Sequence, residues 1–177
     1  MQRNKYLLST KGLTLVAMLV AMAILLKSVL SFETGSFRFT FYEIPMVFIG
    51  MMFGPIIGGI MGFVVDFFHV LISPWAFTFN VFTISNMLWG ILPGLVLFQK
   101  EFTRTKLLFV LVITGILTFG LNTIGIVQYQ GMGAMIATLP YRIAVLFIKL
   151  PIQVFFIETI YQRVIVSTFD MIRSRSL

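Results

Sequence analysis

Apolar residues in this chain form long runs separated by short polar or Gly/Pro segments, a pattern typical of membrane-spanning helices. The second run is too short to cross a full hydrocarbon layer at about 1.5 Å per residue, so fusion with the third, giving five spans, is an alternative. Gly54-Pro55 argues against fusion, because proline disfavours helical geometry in the residue before it. The runs predict helices near 13 to 31, 42 to 53, 55 to 72, 79 to 98, 107 to 126 and 141 to 165.

Basic residues provide an independent test of the number of spans. With six spans, three basic groups lie on one side of the membrane, as the positive-inside rule requires, whereas five spans send two of them outward. We therefore expect an all-α integral membrane protein, one domain over residues 1–177, with six transmembrane helices, cytoplasmic termini and outer loops at 32–41, 73–78 and 127–140. The basic groups comprise Arg3, Lys5, Lys11, Lys100, Arg104, Lys106, Arg163, Arg173 and Arg175.

The composition excludes an ordinary soluble domain. Of the 177 residues, 59% are hydrophobic and 11% charged, against roughly 25% charged in soluble domains. The net charge is +7, and the basic residues lie between apolar runs and form no basic stripe. Nucleic acid is therefore not an expected partner. Cysteine is absent, which excludes disulfides and thiolate metal sites. Ala21-Met22-Ala23 could imitate a signal-peptide cleavage site, but the apolar run continues beyond it and favours a first membrane helix.

Four basic residues remain on the predicted outer side, where topology does not require them: Lys27, Arg38, Arg142 and Lys149. Ionisable groups at membrane depth usually face a bundle interior, a cavity or each other. Arginine also grips carboxylates through two parallel hydrogen bonds. This group therefore predicts an anionic ligand on the outer side. For Lys27 and Arg38 the alternative is that their side chains reach up to the lipid headgroups.

An acidic residue lies at a depth similar to that of Lys149 in the predicted outer half. Asp66 and Lys149 are placed at nearly the same level and are predicted partners, either as a structural ion pair or as a ligand-contacting pair. His69 lies three residues after Asp66 on nearly the same face. Since the chain has no second histidine, a metal site is not expected. Glu158, near the inner end of the sixth helix, is expected to meet a cytoplasmic cation or a partner protein.

Amide and aromatic side chains add hydrogen-bonding and stacking groups to the outer half. Buried amides need partners, and asparagine commonly joins helices in apolar bundles. Several amides together with aromatic rings favour a pocket for a planar, hydrogen-bonding heterocycle. The set comprises Asn80, Asn86, Trp89, Asn122, Gln128, Tyr129, Gln130 and Tyr141.

Small residues recur at four-residue spacing, which allows helices to approach closely. Internal packing is the ordinary explanation, and a docking face for a partner is the alternative. The positions are Gly50, Gly54, Gly58 and Gly62, and on the first helix Ala17 and Ala21.

Signatures of enzymes and of nucleotide sites are missing from the sequence. It contains no G-x-x-x-x-G-K-[ST] loop, no H-E-x-x-H and no G-x-S-x-G. Any ATP-driven work is therefore expected to come from another chain. No similarity between the two halves is evident, which weakens a free-standing transporter built from inverted repeats.

Three segments resemble the substrate-binding S components of energy-coupling-factor (ECF) vitamin transporters, most closely the folate-specific group. They are FRFTFYEIP over 37–45, GMMFGPIIG over 50–58 with Gly62 and Asp66 following, and FTISN over 82–86 before Gly90. The resemblance covers the six-helix outline, and at motif level about residues 13 to 98. It implies a multi-pass protein of a prokaryotic cell membrane that captures a vitamin from outside and needs no cofactor.

The resemblance also implies partners and a site. Ala17 and Ala21 match the family's alanine motif for docking onto a shared transmembrane subunit, which two cytoplasmic ATPases drive. Folate fits the residues, because its carboxylates suit Arg and Lys while its pterin suits Asn, Asp and aromatic rings. Another vitamin is an alternative, although cationic thiamine fits badly. A membrane enzyme or an assembly factor without transport are the rivals. The expected substrate-binding residues are Arg38, Asp66, His69, Asn80, Asn86, Trp89, Asn122, Tyr141, Arg142 and Lys149.

Overall fold

A computed structural model describes residues 10–34, 37–72 and 80–166, with the backbone alone for residues 11, 32–34, 37–38 and 164–166. Its elements are α1 (Thr10–Ser28), β1 (Phe32–Thr34), β2 (Phe37–Phe39), α2 (Glu43–Phe53), α3 (Pro55–Ile72), α4 (Val81–Leu97) and α5 (Arg104–Ile160), followed by a π-helical turn over Tyr161–Val166. In the described residues, α3 and α5 are long and apolar enough to cross a membrane, and the other helices are shorter and apolar.

The predicted outer loop at 32–41 contains a short antiparallel hairpin. Phe32 pairs with Phe39, and Glu33 pairs with Arg38. The hairpin was not expected in a chain read as all-α, although helices make up nearly all of the regular structure described. The predicted loop at 73–78 lies outside the described residues.

The predicted outer loop at 127–140 is wrong, because this segment is helical on both sides of Gly131. That glycine has φ 85° and ψ 170°, a conformation that few residues other than glycine adopt. It divides α5 into a first arm, residues 104–130, and a second arm, residues 132–160. The polar residues before Gly131 suggested a loop, yet glutamine is a good helix former. Pro140 therefore lies inside the second arm and does not open it.

The two arms of α5 run antiparallel. Arg104 Nε lies 3.5 Å from Glu158 Oε2, and an amino group of Arg142 donates to the carbonyl of Phe119 at 3.2 Å. Both pairs are centred within one residue of Gly131. The chain therefore reverses direction at Gly131, and the arms lie side by side.

Glycines bring α4 against α2 and α3, as the four-residue spacing predicted. A Cβ added at Gly50 would come within 2.2 Å of the Gly90 carbonyl oxygen, and one at Gly58 within 2.5 Å of the same atom. Gly54, with φ 91°, ends α2 immediately before Pro55 begins α3. The single fused helix considered above is therefore excluded.

The first helix turns one face to the bundle and leaves the alanine strip outside. Buried side chains on one face are Val16, Val20, Ala23 and Lys27. On the other face, Ala17 and Ala21 are exposed. Packing of these two alanines against the rest of the described chain is excluded.

Candidate functional site

One cluster of buried polar side chains is centred on Asp66, where α1, α3 and α4 meet. Lys27 Nζ and Asn86 Nδ2 donate to Asp66 Oδ1 at 2.6 Å and 2.5 Å. Thr83 Oγ1 donates to Asp66 Oδ2 at 2.6 Å. Tyr42 completes the cluster by donating its hydroxyl to Asn86 Oδ1 at 2.5 Å. Both carboxylate oxygens of Asp66 therefore have strong donors.

The local sequence explains why these groups meet. Lys27 lies on the face of α1 that packs against the bundle, and it is only 3% exposed. Its ammonium group lies 5.1 Å from the centroid of the Tyr42 ring. The expectation that Lys27 reaches up to the headgroups is therefore wrong. Thr83 and Asn86 are one turn apart on α4, so both face Asp66.

A second ion pair joins α2 to the second arm of α5. Lys149 Nζ donates to Glu43 Oε1 at 2.5 Å, and it lies 5.8 Å from the centroid of the Phe39 ring in β2. The predicted pairing of Asp66 with Lys149 is wrong. Position along a helix does not reveal which helices are neighbours, so the sequence alone does not identify these partners.

Arg142 lies within the hairpin formed by the two arms of α5. Its guanidinium carbon is 4.7 Å from the centroid of the Phe119 ring, and one amino group donates to the Phe119 carbonyl at 3.2 Å. The other amino group, NH1, is buried and has no hydrogen-bond partner among the described residues. Arg142 therefore keeps a donor available for a further group.

Several predicted site residues have structural roles in the described residues. Asn80 caps α4 by accepting from the backbone N–H of Phe82 at 2.9 Å. Trp89 belongs to the apolar core. His69 Nδ1 lies 2.9 Å from Ser28 Oγ, which links α3 to α1. These contacts account for Asn80, Trp89 and His69 without a ligand.

The remaining predicted residues lie on β2 and on both arms of α5. Asn122 is partly buried in the first arm, and Tyr141 is exposed beside Arg142. Arg38 lies in β2, but its side chain is outside the described residues. Glu158 meets Arg104 as expected for a group near the inner end. No described contact tests whether these residues bind a ligand.

Glu43 is not among the predicted site residues, although it is buried and paired with Lys149. The predicted site was based on cations of the outer side, and Glu43 entered the prediction only as part of a family motif. Its signal was visible, because an acidic residue next to an apolar run at membrane depth requires a partner. The geometry provides two carboxylates and several donors at one end of the bundle, which suits a ligand with both donors and anionic groups.

Comparison with known proteins places these features in context. A family model described as ECF transporter, substrate-specific component, matches residues 11–167. A curated relative, the folate transporter FolT of Clostridium novyi (strain NT), is 32% identical over 110 residues, 62% of this chain. The aligned region spans 64% of the length of that relative.

A solved structure is similar over most of the chain. The crystal structure of FolT bound with folic acid matches with a TM-score of 0.75 and 30% sequence identity. The match covers 86% of this chain and 92% of that chain. The likeness therefore extends beyond the glycine-rich helices to the overall fold.

Proposed function

This chain belongs to the family of substrate-specific components of ECF transporters, a family of membrane proteins that are not enzymes, and from this premise we propose that it is the folate-binding subunit of an ECF-type importer. The observation that carries the choice of folate is the likeness to FolT with folic acid bound, at 30% identity over 86% of this chain. The chemistry of the described residues supports it, because a donor and a carboxylate with free hydrogen-bonding capacity lie at one end of the bundle.

The proposed arrangement in the membrane has six spans, one transmembrane domain over residues 1–177 and cytoplasmic termini, in a prokaryotic cell membrane. The antiparallel arms of α5 support it, since each then accounts for one span. Arg104 and Glu158 pair at the end where the basic groups gather. Arg142 and Lys149 then belong to the outer half, where folate arrives.

The proposed ligand contacts are a subset of the residues predicted above. Arg142 has a free buried donor and is suited to a carboxylate of the folate tail. Asn122, Tyr141 and Arg38 are retained as contributors. Asp66 and Asn86 bond to each other and to neighbouring helices, so we assign them the role of holding the site in shape.

Direct binding tests this proposal. The chain is purified in detergent and any retained ligand is identified by native mass spectrometry. Titration calorimetry with folate then follows, and the expected result is one folate per chain. Riboflavin and thiamine are the matched controls. Binding of either in preference to folate would assign the chain to another vitamin, and no binding of any vitamin would favour an assembly factor.

Coupling to partners is the second part of the proposal. The exposed face of α1 carrying Ala17 and Ala21 is proposed to dock onto an ECF transmembrane subunit, which two cytoplasmic ATPases drive. Since these side chains are small, another helix can approach closely there. Replacing both with leucine is expected to abolish ATP-dependent uptake in reconstituted vesicles while folate binding in detergent is retained.

The control for the alanine variant uses the same helix. Met18 and Met22 are also exposed, at 66% and 43%, and replacing both with leucine conserves volume. This control is expected to retain uptake. Equal loss of uptake in both variants would contradict docking through the alanines, and uptake by the chain without any other subunit would contradict the dependence on partners.

A further inference from the structure

Glu43 carries a carboxylate oxygen that nothing in the described chain satisfies. The residue is 6% exposed, and Lys149 donates to its Oε1 at 2.5 Å. The second oxygen, Oε2, is buried without a hydrogen-bond partner. Buried polar atoms are almost always paired, and a carboxylate oxygen is a strong acceptor that loses its water on burial. An unpaired oxygen of this kind points to a donor that is supplied from outside the described residues.

The position of Glu43 places that oxygen where three elements meet. Glu43 is the first residue of α2 and follows the β-hairpin closely. Lys149, its partner, comes from the second arm of α5 and also lies 5.8 Å from the Phe39 ring of β2. Tyr42, the preceding residue, reaches instead to Asn86. Lys149 therefore orients the carboxylate through Oε1, while the hydroxyl of the neighbouring Tyr42 is engaged with Asn86.

Arg142 lies two helical turns from Lys149 on the same face of the second arm. Seven residues separate them, which corresponds to a rise of about 10 Å in an α-helix. Arg142 NH1 is also buried, with no hydrogen-bond partner in the part of the chain that the structure describes. This face of the arm thus presents an unused acceptor beside Lys149 and an unused donor toward Gly131. A ligand with hydrogen-bond donors at one end and an anion at the other matches that polarity.

We propose that Glu43 is a specificity-determining residue whose Oε2 accepts a hydrogen bond from the donor edge of the pterin ring. This rests on the proposed folate binding. The pterin carries a 2-amino group beside a ring N–H, and these adjacent donors suit a carboxylate acceptor. Lys149 balances the charge of Glu43 and fixes its orientation. Arg142, toward the other end of the ligand, takes a carboxylate of the glutamate tail.

Replacing Glu43 with glutamine tests the acceptor with little change in volume. Lys149 will donate to the amide oxygen, so the amide NH2 group will occupy the place of Oε2. A donor of the side chain then faces the donors of the pterin. We expect folate affinity to fall by about tenfold to a hundredfold, the range for losing a charge-assisted hydrogen bond. The matched control is Glu158→Gln, the same exchange at the far end of the second arm, which is expected to leave folate affinity unchanged.

An analogue makes the test independent of folding. Folate in which the 2-amino group is replaced by hydrogen is expected to bind the unaltered chain about tenfold or more weakly than folate does. In Glu43→Gln the two ligands are expected to bind within about threefold of each other, because the acceptor that distinguishes them is gone. If Glu43→Gln does not fold, the double variant Glu43→Gln with Lys149→Met, which leaves no unpaired charge, replaces it.

The outcomes separate this inference from the proposed function. Equal affinity of the unaltered chain for folate and its 2-desamino analogue overturns the role of Glu43 while folate binding stands. Unchanged folate affinity in Glu43→Gln overturns it as well. Absence of folate binding by the unaltered chain overturns the proposed function itself and this inference with it.

Discussion

Two buried carboxylates, Asp66 and Glu43, lie at the same end of the bundle and differ in how completely they are bonded. Asp66 accepts from Lys27, Thr83 and Asn86 on two other helices. Among the described residues, Glu43 accepts from Lys149 alone and keeps Oε2 without a partner. Both are almost equally inaccessible, each being 6% exposed, so burial alone does not distinguish them.

The difference in hydrogen bonding indicates different roles for Asp66 and Glu43. A carboxylate that several fixed donors saturate has little capacity left for a ligand, and its removal affects the helices that carry those donors. A carboxylate with a free oxygen can gain a hydrogen bond on binding, which favours the bound state. We infer that the Asp66 cluster holds α1, α3 and α4 together, and that the Glu43 pair faces the ligand.

The largest effect is expected from Asp66→Asn. This exchange removes the negative charge of the buried Lys27–Asp66 ion pair while Lys27 stays buried, and breaking a buried ion pair in this way costs about 3–5 kcal/mol. Thermal unfolding of the detergent-purified chain, followed by tryptophan fluorescence and size-exclusion chromatography, is expected to show a much lower midpoint. Folate affinity of the fraction that remains folded is expected to change little.

A charge-neutral double variant sharpens this result. Combining Asp66→Asn with Lys27→Met removes both charges and is expected to recover much of the lost stability, since no unpaired charge remains. If Asp66→Asn keeps the unfolding midpoint of the unaltered chain and loses folate binding instead, the two carboxylates do not differ in the way described.

The sequence predicted the helical architecture better than the connections between helices. Apolar runs located α2, α3 and α4 closely, because run length and Gly/Pro breaks are local features. A reversal between the fifth and sixth predicted spans was expected, but the loop at 127–140 was wrong, since polar residues around Gly131 resemble a loop and only the backbone angles reveal a break between two helices. Local composition does not determine whether such a segment stays helical.

The partners of the ionisable residues were the least predictable part of the site. The predicted partner of Asp66 was Lys149, whereas its actual partner is Lys27. A helix position fixes depth and face, whereas pairing depends on which helices are neighbours, a property of the whole fold. For the same reason Glu43 was overlooked, because its partner lies 106 residues away.

Arg142→Ala tests the ligand-facing side of the comparison. Loss of the free NH1 donor is expected to weaken folate binding by about 1.5–3 kcal/mol, as for hydrogen bonds to charged groups. Calorimetry with pteroate, which lacks the glutamate tail, provides the internal control. Pteroate affinity is expected to stay unchanged, and an equal loss for both ligands would mean that Arg142 acts by packing on Phe119 and not by binding the tail.

Thr83→Val is expected to have a smaller effect, on stability alone. Valine keeps the shape but removes the hydroxyl that donates to Asp66 Oδ2, which leaves a buried acceptor short of one donor and costs about 1–2 kcal/mol. Thr83→Ser, which retains the hydroxyl, is expected to lose clearly less. A drop in folate affinity in the valine variant at an unchanged unfolding midpoint would place the Asp66 cluster in contact with the ligand.

The smallest effect is expected from Glu158→Gln. This third carboxylate neither holds helices together as Asp66 does nor faces the ligand as Glu43 does. Glu158 Oε2 lies 3.5 Å from Arg104 Nε, and the side chains of these residues are 24% and 68% exposed. Exposed ion pairs contribute about 0–1 kcal/mol and weaken with salt. The unfolding midpoint and the folate affinity are therefore expected to match those of the unaltered chain within error at physiological salt.

A loss of stability as large as that of Asp66→Asn would show that burial and the number of hydrogen-bond donors do not govern what a carboxylate does in this fold. If only uptake in the reconstituted complex declines, Glu158 contacts a partner subunit, which assigns the inner end of the second arm to docking and leaves the contrast between Asp66 and Glu43 intact.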